Sequence, residues 1–119
     1  MLYLLEDSLD NIPAIDYVKD DYSESLAYIR IYSIENDFSW YILEYDKANL
    51  LYCLAKNQNT FEFTFISMEE LETIILKFGL LVIKDNSFEP TTLSKINELY
   101  ELMSEEEVKK ILIEPKNKS

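Results

Sequence analysis

At 119 residues the chain has room for one hydrophobic core and too little length for two, so a single domain spanning 1–119 is expected. The 11 Lys and Arg stand against 23 Asp and Glu, which leaves a net charge of −12 with no histidine to soften it. A surface this acidic lacks the cations that phosphate binding requires, which argues against direct contact with nucleic acid. Cys53 is the only cysteine, so no internal disulfide forms; together with the lack of a signal peptide or long apolar run, this points to a cytoplasmic protein with no membrane partner.

The acidity is uneven. Residues 1–46 hold 2 basic and 11 acidic side chains (−9), whereas residues 47–119 hold 9 and 12 (−3). Met1 to Ile15 suits a short helical turn stopped by Pro13. Asp16 to Ser25 carries Asp16, Asp20, Asp21 and Glu24, which reads as a solvated connector because so many like charges cannot share a buried surface. Ala27 to Ile34 alternates Tyr28, Arg30 and Tyr32 with Ile29 and Ile31, the signature of a half-buried strand. Glu35 to Asp37 supplies a turn.

Phe38 to Tyr45 is the second expected strand, with Trp40 and Ile42 on one face and Tyr41, Leu43 and Tyr45 on the other. Asp46 to Asn49 turns into a third strand, Leu50 to Ala55. After the polar break at Asn57 to Asn59, Thr60 to Ile66 alternates Phe61, Phe63 and Phe65 with Glu62 and Thr64. Breaks this short predict an antiparallel meander, because parallel pairing needs a long crossover. Ser67 and Glu70 have capping-box spacing ahead of a helical stripe at Leu71, Ile74, Ile75 and Phe78, and Gly79 ends that helix. Leu80 to Lys84 gives a fifth strand, and Asp85 to Pro90 a loop. A helix capped by Thr91 or Thr92 would carry Leu93, Ile96, Leu99, Tyr100 and Met103. A second capping box, Ser104 with Glu107, opens a last helix at about 104–113, and the tail after Glu114 is expected to fray. The fold class is therefore α+β: an antiparallel four- to five-stranded meander packed against C-terminal helices.

The chemistry is bounded mainly by what is missing. Without histidine the commonest general base, zinc ligand and nucleophile activator are gone. A single glycine cannot build a phosphate-cradling loop, and Cys53 sits in an apolar strand with no cation beside it to activate a thiolate. No catalytic residue, cofactor or metal site is expected. Asp16, Asp20, Asp21 and Glu24 lack the glycine-centred spacing of a calcium loop. Tyr28, Tyr32, Trp40, Tyr41, Tyr45 and Tyr52 invite comparison with base-stacking sheets, but those need a cationic track alongside.

Three segments carry a family resemblance covering about residues 12–96. They are IRIYSIENDFSWYILEYD (Ile29 to Asp46), FISMEELETI (Phe65 to Ile74) and FGLLVIKDNSFEPTTLSKI (Phe78 to Ile96). The chain resembles a small bacterial domain of unknown function common on plasmids, conjugative elements and phages. That domain joins a Trp-Tyr strand and acidic turn to a Ser-x-Glu-Glu-Leu helix and a closing Phe-x-Pro-Thr-x-Leu-Ser segment. Trp40, Tyr41, Glu44, Asp46, Ser67, Glu69, Glu70, Leu71, Phe88, Pro90, Thr91, Leu93 and Ser94 match it. The chain departs by lacking the glycines expected after the third strand and by adding a second C-terminal helix. The resemblance implies a mobile-element origin and brings no activity with it.

The leading expectation is an acidic interaction protein that blocks the basic surface of a nucleic-acid-binding defence complex, such as a nuclease or nucleoprotein, as anti-CRISPR and antirestriction proteins do. Asp16, Asp20, Asp21, Glu24, Glu35 and Asp37 would supply its charge, and Tyr41 and Tyr45 its aromatic anchors. The alternatives are a magnesium-assisted carboxylate enzyme acting on a small substrate and an accessory protein of plasmid maintenance.

Overall fold

The computed structural model describes residues 9–35, 37–78 and 82–113. Its elements in chain order are β1 (Leu26–Ala27), β2 (Ile29–Ser33), β3 (Phe38–Tyr45), β4 (Leu50–Asn57), β5 (Thr60–Ser67), α1 (Met68–Phe78), β6 (Val82–Lys84), β7 (Thr91–Thr92), a 3-10 turn (Leu93–Lys95), α2 (Asn97–Leu102) and α3 (Glu105–Leu112). The fold is α+β, as expected from the strand and helix signals. A five-stranded antiparallel sheet runs in the order β5-β4-β3-β2-β6, and β1 and β7 form a separate two-stranded pair.

The meander follows from short turns, and these are built without glycine. Asp46 takes its side chain back into its own turn, where Oδ1 accepts the backbone N–H groups of Ala48, Asn49 and Leu50 at 2.8–2.9 Å. Gln58 and Asn59 join β4 to β5 with Asn57 opposite Thr60. The N–H of Gln58 also donates to the Asp37 carbonyl at 3.2 Å, tying that hairpin to the β2–β3 turn.

Both faces of the sheet are covered. On one face Tyr41, Leu43, Tyr52, Leu54 and Phe61 pack against Leu99 of α2 and Val108 and Leu112 of α3. On the other, Ile29, Ile31, Trp40, Ile42, Leu51, Cys53 and Ile66 pack against Leu71 of α1 and Ile12. Two covered faces explain why β3 and β4 are buried almost continuously instead of on alternate residues. The pairing of β3 with β4 slips between Ile42 and Glu44. This bulge moves Tyr45 to the Trp40 face and turns Glu44 toward Tyr22 beneath the helices, so the expected placement of Tyr45 beside Tyr41 and Leu43 is corrected.

The segment between Pro90 and Ser104 differs from the continuous helix expected to start at Thr91 or Thr92 and to carry Leu93 through Met103. Thr91 and Thr92 pair with Ala27 and Leu26, and Thr92 makes no side-chain cap bond. Ile96, with extended backbone, separates the 3-10 turn from α2. The two predicted capping boxes do form: Ser67 exchanges bonds with Glu70, and Ser104 with Glu107. The helix stop at Gly79, the tail after Glu114 and most of the turn predicted before Pro13 lie outside the described residues.

Candidate functional site

The acidic connector is more ordered than a solvated charge run would be. Tyr22, in its middle, is fully buried, with its N–H donated to the Leu112 carbonyl at 2.8 Å and its ring against Tyr52 and Phe63. Its hydroxyl donates to Glu44 Oε2 at 3.3 Å, and the Asp16 N–H donates to Glu44 Oε1 at 3.1 Å. Further along, the N–H groups of Leu93 and Ser94 donate to the carbonyls of Ser25 and Ser23. The connector is thus pinned to β3, the 3-10 turn and the end of α3, correcting its description as simply solvated.

What those pins display is a short loop whose side chains face water. Asp16, Asp20, Asp21 and Glu24 are all exposed, and between them Tyr17 and Val18 remain 49% and 87% exposed. Asp16 Oδ1 accepts the Val18 N–H at 3.1 Å, and Asp21 Oδ1 accepts the Ser23 N–H at 2.9 Å. The Ser23 backbone bond, helped by the Ser23 hydroxyl and by Lys19, holds the Asp21 carboxyl below its ordinary range. Such local bonds fix the backbone that carries the charges, which lowers the entropy cost of holding the loop in one shape.

The expected acidic set does not form one patch. Asp37 immediately precedes β3 and Glu44 lies near its far end, so the Glu35–Asp37 turn stands roughly 20 Å from the connector at the usual strand rise. Asp37 is also committed elsewhere, as the partner of Lys56 Nζ at 2.5 Å. Burial alone would lower the Lys56 pKa, but the Asp37 bond and nearby Glu98 outweigh it and raise the ammonium above its usual range.

Tyr41 is not a surface anchor. It is 2% exposed, and its hydroxyl donates to Glu98 of α2 and accepts Arg30 Nε at 3.2 Å. Arg30 continues this cluster, with Nη1 3.2 Å from Asp85 and Nη2 3.3 Å from Ser39 Oγ, while its guanidinium lies 4.4 Å from the centre of the Tyr32 ring. Burial, reinforced by the Glu98 carboxylate, raises the Tyr41 pKa well above its ordinary value, so the phenol stays a donor. Trp40 and Tyr52 are buried as well. Tyr45 is half-buried, with its hydroxyl donated to the Ala48 carbonyl at 3.0 Å.

Among the described residues, no three His, Cys, Asp or Glu side chains converge as metal ligands, and no helix is long and apolar enough to cross a membrane. Cys53 is fully buried, which pushes its thiol far above the range of a reactive group. The features missed in the sequence were Tyr17 and Val18, an apolar pair bracketed by carboxylates. Their signal was present, but the surrounding charge masked it. No protein-family profile matches the chain, and no curated protein or solved structure shows significant similarity to it.

Proposed function

We propose that this chain is a small acidic interaction protein that covers the basic surface of a nucleic-acid-binding partner, as inhibitors of anti-CRISPR or antirestriction type do. The observation that carries the reading is the connector, where the exposed Asp16, Asp20, Asp21 and Glu24 flank the exposed Tyr17 and Val18 along a backbone pinned from within. An exposed aromatic inside a charged rim is the usual composition of an interface centre. The carboxylates speed encounter with a cationic partner, and Tyr17 supplies area that resists dissociation. Tyr17 takes the anchoring role first expected of Tyr41.

The test is affinity capture of the tagged protein from cells carrying bacterial defence systems, at low and at raised salt, with bound proteins identified by mass spectrometry. A nuclease or nucleoprotein complex retained at low salt and shed at high salt is the expected result. Recovery of the protein alone under both conditions would contradict it.

A further inference from the structure

Among the described residues the two edges of the main sheet are unequal: β6 spans Val82–Lys84, three residues, whereas β5 runs for eight. The ladder shows which groups the long edge presents. Met68 N–H donates to the Asn49 carbonyl, and in the same register Ile66, Thr64, Glu62 and Thr60 lie opposite Leu51, Cys53, Ala55 and Asn57. Hydrogen-bonded pairs alternate with non-bonded ones in an antiparallel ladder. The even-numbered residues of β5 therefore bond to β4, and Phe61, Phe63 and Phe65 direct their N–H and C=O groups away from the sheet. Among the described residues no strand lies beyond them; Thr64 Oγ1 donates to the Phe65 carbonyl at 3.2 Å.

Natural sheets guard such an edge with lysine, proline, a bulge or a covering segment. The strand reads TFEFTFIS, its pairing with β4 runs without a slip, and Glu62 is its only charged residue. We propose that the outer edge of β5 receives an extended, basic segment of a partner protein as an additional strand, with Lys or Arg at alternate positions. This inference rests on the acidic-interaction reading above and assigns it a second contact line.

Charge argues for that occupant on both flanks of the edge. On one face a cleft of about 640 Å³ lies between α1 and the sheet, with Trp40, Ile66 and Ile74 along it and Glu62 and Glu70 at its rim. The one cation among its lining residues, Lys56, is already paired with Asp37 and Glu98. On the other face Tyr17 stacks on Phe65 with ring centres 6.2 Å apart, which brings the acidic connector against the end of the same strand. Side chains of an added strand alternate between these flanks, so Lys or Arg at alternate positions all meet the carboxylates of one flank while the residues between them lie against the apolar part of the other, and main-chain bonds supply affinity without regard to sequence. A second copy of this chain fits poorly, because each carries a net charge of −12.

The experiment is amide hydrogen exchange on the full chain, with a synthetic peptide alternating Lys and Val, a matched peptide alternating Glu and Val, and no peptide. The Lys peptide should slow exchange at Phe61, Phe63 and Phe65 about tenfold or more, leaving Glu62, Thr64 and Ile66 as they were, since those amides are already bonded to β4. The Glu peptide should do nothing, and Glu62→Lys should weaken the Lys peptide about threefold or more. Protection confined to connector amides, or no protection, would overturn the edge proposal while leaving the connector reading standing. Protection of Phe61, Phe63 and Phe65 that rises with protein concentration without peptide would show a second copy there and overturn it too. Loss of captured partner on reversal of Asp20, Asp21 and Glu24 tests the connector reading separately.

Discussion

Asp37, Lys47 and Gln58 take positive φ angles of 55°, 67° and 57°, the left-handed region that usually favours glycine. Each lies in a turn of the meander. Gln58 supplies the left-handed residue in the turn that follows the third expected strand, Leu50 to Ala55, and around Lys47 the Asp46 carboxylate accepts three backbone donors. Glu44 is the opposite kind of carboxylate. Burial raises its pKa above the ordinary 4.5, and the Asp16 N–H and Lys19 offset this only in part. A raised folded pKa means that the ionised form costs stability, and the cost is relieved as pH falls through the folded value toward 4.5. Asp21, Asp46 and Asp85 have lowered values, so their stabilisation is present above about 3.8 and is lost as pH falls through their folded values. Glu44→Gln keeps an acceptor for Asp16 and Tyr22 without the charge. Relative to the native chain, its stability to urea should be more favourable at about pH 8 than at about pH 5. A difference independent of pH would show that Glu44 is not held above its ordinary range.

Helix α3 links core packing to the connector. Its capping box satisfies two exposed backbone donors, Val108 and Leu112 enter the core, and the Leu112 carbonyl receives Tyr22 of the connector. Ser104→Ala should cost about 1 kcal/mol in urea unfolding and speed amide exchange at Tyr22, which α3 anchors. Unchanged stability and exchange would mean that the cap contributes nothing to that anchor. The capping boxes and the β2–β5 meander were legible in the sequence because their signals are local: an i to i+3 pair, an alternation, a polar break. Other features depended on distant residues. Tyr41 reads as a strand aromatic of either face until Glu98, 57 positions away, meets its hydroxyl. The bulge after Ile42 has no glycine to announce it, so alternation placed Tyr45 on the wrong face. The helix expected from Thr91 failed because tertiary pairing with β1 claimed Thr91 and Thr92.

Across the whole molecule, composition located the acidic pole but could not arrange it. The net charge of −12 and its concentration before residue 47 are readable by counting. That Glu35 and Asp37 stand at the opposite end of β3 from Asp16 to Glu24 follows only from the topology. The cations are partly internalised, with Arg30 and Lys56 bound to Asp85, Asp37 and Glu98 at the margin of the helix-covered face. The proposed role therefore depends on where the carboxylates are placed and not only on their number. The direct measurement compares partner capture by Asp20→Lys, Asp21→Lys, Glu24→Lys with capture by an equal reversal in the C-terminal half, Glu89→Lys, Glu101→Lys, Glu106→Lys, both verified as folded. The connector variant should lose its partner and the control should retain it at low salt. Equal loss by both would reduce the interaction to net charge, and retention by the connector variant would contradict the proposed site.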